Sequence, residues 1–436
     1  MDFVVIGGGA SGMAAASKAK RVDPSINVTV VEAGNYVSYA ECGIPYYLEG
    51  IVKSPENLLH YPIEEFTKKR GIKILLNDTV RSIDRASRNI ITAKNGRIKY
   101  DKLLIATGAS PKVPKEFSDI GVNGIRSLED AKAMNDRIDH AKTIAVIGDG
   151  ILGLELAASL VTRGKDVTVI SRHSRILRNI DERVGSDFRA DYSSRVHVLL
   201  NAGIKEIKRN EGSYRITTEN GSVSADLVIS ATGITANSRL AEDSGLKIDR
   251  RGLIEVDSRM YTSDPDILAS GDCAQTTNIV TGKKDWHPLA QVSNKMGRVA
   301  GSNVAGSEMN FPGSLGTTLV KLFDYEIGFT GISEAEAKEN GFSPVTTFVR
   351  AMSRAAYYPG KTPVNMTLMY DSASGRILGS QIISRDGGAW RLNTVAAAIQ
   401  GKMDIEDLFY TDLGYTPPFG PVWDPIIVAA SLSMRD

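Results

Sequence analysis

Cysteine is nearly absent from this chain. Its 436 residues include two, Cys42 and Cys273, which lie too far apart in sequence for a disulfide framework and lack the clustered Cys/His spacing of a zinc site. In a reducing compartment each has to be judged by its own neighbours. Excess charge is missing as well: 52 Lys and Arg stand against 51 Asp and Glu, so no basic field draws the chain to nucleic acid or to an anionic membrane surface. No apolar run reaches the ~18 residues that suggest a membrane span. The N-terminus opens directly on the strand-like MDFVVIGGG, without the basic and apolar regions of an export signal. Together these absences predict a cytoplasmic chain whose partner is a small molecule, with no nucleic-acid or membrane partner. Histidine is also scarce: His60, His140, His173, His197 and His287 are all there are, and the C-terminal region has no imidazole to serve as an acid.

What the chain does have is length, glycine and an internal near-repeat. Single hydrophobic cores stop growing near ~250–300 residues, so a chain of this length is expected to divide into two or three domains. DFVVIGGGASGMAAASKAKRVDPSINVTVVEA is matched in pattern by TIAVIGDGILGLELAASLVTRGKDVTVISR: apolar strand, glycine turn, small-residue helix, apolar strand. In the first copy Gly7, Gly9 and Gly12 form G-x-G-x-x-G between a strand over 3–6 and a helix running to about residue 20. The first glycine makes the tight turn, the second lets backbone approach a pyrophosphate, and the third packs helix on strand. The exposed N–H groups of the helix start then face phosphate. Glu32 ends the second strand, where a carboxylate accepts ribose hydroxyls. In the second copy Gly148, Gly150 and Gly153 fall in the same frame, but Ser171 stands where the first copy has Glu32, and Arg172, His173 and Arg175 follow. Removing the acid and adding cations suits a 2′-phosphate, so the pattern favours NADPH over NADH. Two such folds imply two dinucleotides.

With these loops on the page, the sequence resembles the two-dinucleotide-fold flavoprotein disulfide reductases over essentially its whole length. The likeness also rests on LLIATGASP (Leu103 to Pro111), LVISATGITAN (Leu227 to Asn237) and ILASGDCA (Ile267 to Ala274). It implies an α/β protein of two Rossmann-like dinucleotide-binding domains, for FAD and NAD(P), plus a C-terminal α+β dimerisation domain. The expected boundaries are 1–112 with 236–312 for FAD, 113–235 for NAD(P) and 315–436 for dimerisation. By the same likeness, Ala10, Ala33, Thr107, Gly108, Gly271 and Asp272 join the FAD site, with Asp272 on the ribityl chain, and Glu155 joins the second nucleotide site. Cys273 reads as a small buried residue.

The segment SYAECGIPYY then decides the sulfur chemistry. Many members of this superfamily carry C-x-x-x-x-C or C-x-x-C, whereas Cys42 is followed by no second thiol. Its oxidised form is therefore a sulfenic acid or a mixed disulfide with a small thiol, which separates NADH oxidases and peroxidases from coenzyme A disulfide reductases. A thiolate near a helix start and beside a flavin is expected to have a depressed pKa. NADH peroxidases of the family place histidine where this chain has Ala10. Coenzyme A disulfide reductases use C-terminal tyrosines as proton donors, and Tyr357, Tyr358 and Tyr415 are the candidates here. In the family these tyrosines reach the partner subunit's cysteine in a homodimer. Lys18 and Arg21 share a helix face and, with Ser38, Glu41 and Asn294, form the expected coenzyme A site. Glu41 stands where asparagine is common, and Trp423 where bacterial members often carry a basic residue. The expected activity is FAD-dependent reduction of coenzyme A disulfide, or of a mixed coenzyme A disulfide, by NAD(P)H. NADH oxidation through a Cys42 sulfenate and persulfide or sulfur reduction are the alternatives, and a non-enzymatic scaffold that carries a flavin is a further one.

Overall fold

In a computed structural model that describes residues 1–210 and 212–434, DFVVI and NVTVV, buried on both faces over most of their length, become the strands Asp2–Ile6 and Asn27–Val31. Near-continuous apolar runs of this kind are what a parallel sheet covered on both sides requires. The first sheet has the order Ile267–Ala269, Lys102–Ile105, Asp2–Ile6, Asn27–Val31, Ile72–Leu75, and all four pairings are parallel. The order reverses at Asp2–Ile6, and ligands of open α/β sheets bind beyond the strand ends at that point. Gly7 turns the chain there with φ +102°, and a Cβ on it would lie 2.2 Å from the Ala106 carbonyl oxygen.

The helix Ala10–Val22 leaves this turn and packs on the helix Ala290–Val304. The two approach so closely that a Cβ at Gly297 would lie 2.2 Å from the Ser11 carbonyl oxygen. The late segment around Asp272 and Ser293 is thereby brought against the first glycine loop.

The second copy folds in the same way. Four parallel strands have the order His197–Leu199, Asp166–Ile170, Thr143–Ile147, Leu227–Ser230, and the helix Ile151–Thr162 follows its glycine turn. A three-stranded antiparallel sheet, Ile204–Asn210, Ser213–Thr218 and Gly221–Ala225, extends it. SLEDAKAMNDRIDH supplies the helix Leu128–His140 and the reciprocal cap between Ser127 and Asp130 that opens it.

The C-terminal region is a five-stranded antiparallel sheet in the order Thr318–Leu322, Tyr325–Gly331, Ile377–Ser384, Pro363–Asp371, Pro344–Met352. The helices Leu392–Gln400 and Pro425–Ser431 share its core. The observed class is the expected one. One apolar cluster joins Ile44 and Leu48 with Leu154 and Leu156 of the second fold and Val320 and Leu322 of the C-terminal sheet. Through it, the cysteine segment is fixed against the second fold and the C-terminal sheet.

Candidate active site

The three sheets enclose a cleft of about 2170 Å³ lined by both glycine loops, Cys42 and Asp272. At its first end the helix Ala10–Val22 begins after Gly9 with no side-chain cap and no acid in its first turn, so its N–H groups are available to an anion. Glu32 holds the loop itself: its carboxylate accepts from the amides of Gly8 (2.6 Å) and Gly34 (2.7 Å), and Ala33 beside it is exposed. Asp272 accepts from Ser293 Oγ at 2.6 Å and from Arg126 Nη2 at 2.7 Å. Asn237 ties the two strand-end turns together, donating to the Gly108 and Thr107 carbonyl oxygens at 2.9 Å each and accepting from Thr107 Oγ1 at 2.6 Å. Close glycine backbone, an uncapped helix start and a buried aspartate form a cradle that fits a flavin dinucleotide.

Cys42 lies in the short turn Glu41–Gly43, directly before the helix Ile44–Glu49, whose first turn contains Pro45. The Ser38 amide, in a strained φ of +52°, donates to the Gly8 carbonyl oxygen at 2.9 Å and ties the segment to the glycine loop. The thiol is exposed to the cleft although protein surrounds most of it. Burial pushes it above the ordinary thiol range, Glu41, Glu155 and Asp272 add to that push, and Arg126 opposes them. The protein's own groups therefore act against the depressed pKa expected from sequence. The helix that follows has only six residues, and the charges facing the sulfur are mostly acidic.

Glu41 is not a free negative charge. Arg126 Nη2 pairs with it at 2.9 Å while also holding Asp272, and burial nevertheless raises its pKa against that cation. Arg126 was not singled out from sequence, because both its partners are remote along the chain and no local pattern marks it.

Around the second loop, Arg172 and His173 face the cleft, but Ser171 is only 1 % exposed and its hydroxyl accepts from the His173 amide at 3.0 Å. Of the expected pair, Arg172 is the one presented to a ligand. Ser171 supports the loop from behind. Arg175, also noted in the basic run, is tied to Glu182 at 2.6 Å, and the His173 imidazole is held by Asp149 at 2.9 Å.

Lys18, Arg21, Ser38 and Asn294 all line the cleft. Arg70, missed in the sequence, joins them. It donates to Ser17 Oγ at 3.0 Å and lies over the rings of Tyr61 and Phe66, with centroids at 5.2 Å and 4.8 Å. A cation set among aromatic rings suits a nucleotide phosphate and its base.

The C-terminal tyrosines are not brought to Cys42 within one chain. The Tyr357 and Tyr415 hydroxyls lie 3.5 Å apart and exposed, and Tyr358 lies under the Arg354 guanidinium. Trp390, Phe419, Val422 and Trp423 in the same region are each more than half exposed, a composition typical of a surface that another protein covers. No helix among the described residues is long and apolar enough to cross a membrane, and none of their His, Cys, Asp and Glu side chains group to hold a metal ion.

Two dinucleotide folds converging on a lone cysteine define a flavin-dependent oxidoreductase. The chain belongs to the pyridine nucleotide-disulphide oxidoreductase family: that family's model matches residues 1–297 and its dimerisation domain matches residues 317–425. It is 40 % identical to the NAD(P)H coenzyme A polysulfide/persulfide reductase of Pyrococcus horikoshii, over 98 % of this chain and 97 % of that one. It is 29 % identical to the coenzyme A disulfide reductase of Staphylococcus aureus, with 96 % of each chain covered. Among solved structures it superposes on an NAD-dependent persulfide reductase from A. fulgidus with a TM-score of 0.95 and 37 % identity, covering 100 % of this chain and 83 % of that one. The protein is thus an FAD- and NAD(P)H-dependent oxidoreductase of this family.

Proposed function

We propose that this enzyme reduces a sulfur–sulfur bond carried on coenzyme A, either coenzyme A disulfide or a coenzyme A persulfide or polysulfide, through a mixed disulfide on Cys42. The observation that carries this reading is the lone thiol, without a second cysteine in reach, opening into a cleft lined by Lys18, Arg21 and Arg70. The names of the relatives in Pyrococcus and Staphylococcus point to the same carrier. Bound FAD, held by the Gly7–Gly12 loop, Glu32, Ala33 and Asp272, supplies two-electron transfer between nicotinamide and sulfur. We assign residues 1–112 and 236–312 to its domain, 113–235 to the NAD(P) domain and 315–436 to the dimerisation domain.

Cys42 attacks the substrate disulfide as thiolate and retains one half as a mixed disulfide. The departing thiolate takes a proton from a tyrosine hydroxyl, with Tyr415 backed by Tyr357 as the donor reaching across from the partner subunit. Arg126 lowers the energy of the Cys42 thiolate and compensates Glu41, so an anionic substrate meets less repulsion than the bare sequence suggests.

Arg172 favours NADPH. An engineered water-forming NADPH oxidase of related fold carries an aspartate-to-alanine change followed immediately by alanine-to-arginine, the same order of side-chain character as Ser171–Arg172. Arg172→Ala should lower kcat/KM for NADPH roughly tenfold or more relative to NADH, the value of one or two charge-assisted hydrogen bonds.

The deciding experiment is the intact mass of the denatured, unreduced holoenzyme after incubation with coenzyme A disulfide. An adduct of roughly 765 Da on Cys42, removed by thiol, is expected from mixed-disulfide chemistry. Turnover in air with no added sulfur substrate and no adduct would favour the oxidase reading instead.

A further inference from the structure

Cys42 has a second set of neighbours, and they come from the other nucleotide fold. The helix Ile44–Glu49 packs along Ile151–Thr162: Leu48 shares a core with Leu154 and Leu156, Arg163 Nη1 donates to the Leu48 carbonyl oxygen at 2.7 Å, and Ser159 Oγ donates to Glu49 at 3.2 Å. Tyr46 stands one helical turn beyond Cys42, and Glu155 one turn before Ser159, so each pair shares a face. The Tyr46 phenol lies against the Glu155 carboxyl, and Cys42, Tyr46 and Glu155 all line the cleft. The groups facing Glu155 are Tyr46 and Glu49, with no cation among them. Those facing Cys42 are Glu41, Glu155, Asp272 and Arg126.

We propose that Tyr46 and Glu155 hold a proton beside Cys42 and deliver it to the sulfur released when the Cys42 mixed disulfide is opened, with Tyr46 as the donor and Glu155 as the residue that positions and recharges it. The proposal rests on the reading of Cys42 as the redox sulfur. Opening Cys42–S–S–R consumes two electrons whose source is NAD(P)H. The sulfur–sulfur bond breaks, Cys42 keeps its sulfur as thiolate, and the outgoing R–S⁻ takes the Tyr46 proton while the Glu155 proton moves to the Tyr46 oxygen. The Glu155 carboxylate is then reprotonated from solvent along its Ser159 and Glu49 side.

Electrostatics fit this role. Burial lifts Glu155 to about 7, with Glu49 adding to the lift and Tyr46 opposing it, so the carboxyl retains a proton near neutrality and is well matched to give it up there. Burial, then Glu155, pushes Tyr46 up to about 12, so the phenol stays protonated between transfers. The pair also accounts for a cysteine site that needs protons although the partner's tyrosines serve the first departing thiolate: disulfide attack and mixed-disulfide opening release two thiolates in succession.

The test uses the FAD-loaded enzyme and two readouts. Alkylation of Cys42 by iodoacetamide, followed by intact mass across pH 5–10, reports the thiol directly. In wild type its profile should carry an inflection near the Glu155 value of about 7. Glu155→Gln should remove that inflection and shift Cys42 reactivity to lower pH, because an anion facing the thiolate is gone, and Glu155→Asp should restore the inflection. Single-turnover opening of a preformed Cys42–coenzyme A disulfide should slow on the order of 10²-fold in Tyr46→Phe, with flavin retention verifying the fold. Superimposable alkylation profiles for wild type and Glu155→Gln, or wild-type opening in Tyr46→Phe, would overturn the proposal. Failure of the underlying reading has a different signature: Cys42→Ser would still reduce the sulfur substrate.

Discussion

Cys42 and Cys273 are the same side chain in two settings, and burial pushes both thiols above their ordinary range. Cys42 opens into the cleft beside three carboxyl groups and one guanidinium. Cys273 is fully buried one residue beyond Asp272, its sulfur 3.5 Å from the Ile105 carbonyl oxygen and 3.4 Å from that of Ser270. Since neither thiol is acidified by the protein's own groups, acidity does not separate the cysteine proposed as the redox sulfur from the buried one. Access does, together with a neighbourhood whose charges can be rebalanced. The sharpest way to break this comparison is Cys42→Ser, which should keep the flavin and lower sulfur reduction by on the order of 10³-fold or more. Cys273→Ser should retain most of the turnover. Steady-state assays of the two purified variants decide it, and comparable losses would mean that both sulfurs take part.

Glu155 sharpens the comparison from the side of charge. A carboxyl raised from 4.5 unfolded to about 7 folded is neutral in the native state at low pH and costs stability as pH rises from the lower value to the higher. Above both, the cost is about 3 kcal/mol. Glu155→Gln should therefore match wild type near pH 4 and be more stable by up to that amount at pH 8. Thermal unfolding of the two proteins at both pH values measures this. A gain at pH 4 equal to that at pH 8 would show that the carboxyl is not held neutral.

What could be read in the sequence follows the range of the interactions. Gly7, Gly9, Gly12 and their second copy declare themselves because turn, helix start and strand end all lie within one short unit. Arg126, Arg70 and the Tyr46–Glu155 contact are invisible along the chain because each joins segments that only the tertiary fold brings together. The burial of Ser171 is also a tertiary fact: the alignment put it in place of Glu32, but its hydroxyl turns back to the His173 amide. Tyr357 and Tyr415 stand out by likeness to the family, and a single chain leaves both on its surface.

Arg126 is where the acidic surroundings of Cys42 are offset. Arg126→Met keeps much of the side-chain volume but removes the ion pair to Glu41 at 2.9 Å and the charge-assisted hydrogen bond to Asp272 at 2.7 Å. A loss of about 2 kcal/mol is expected. The thiol should move further up, since its one opposing cation is gone, and iodoacetamide should label Cys42 at a correspondingly higher pH. Unchanged labelling would locate the control of the thiol elsewhere.

The smallest effect concerns the buried cysteine. Cys273→Ala removes one sulfur from a site that carbonyl groups and the first sheet close on every side, and the space it leaves is about that of a methyl group. Such a loss costs about 1 kcal/mol. The weak S–H···O contacts add little to that, since neither is shorter than 3.4 Å. Because Asp272 keeps its bonds to Ser293 and Arg126, flavin affinity should stay within about twofold of wild type. Denaturant unfolding of the holoenzyme and titration of the apoprotein with FAD measure the two quantities separately. A marked fall in flavin affinity without a matching fall in stability would give Cys273 a role at the cofactor that its burial argues against.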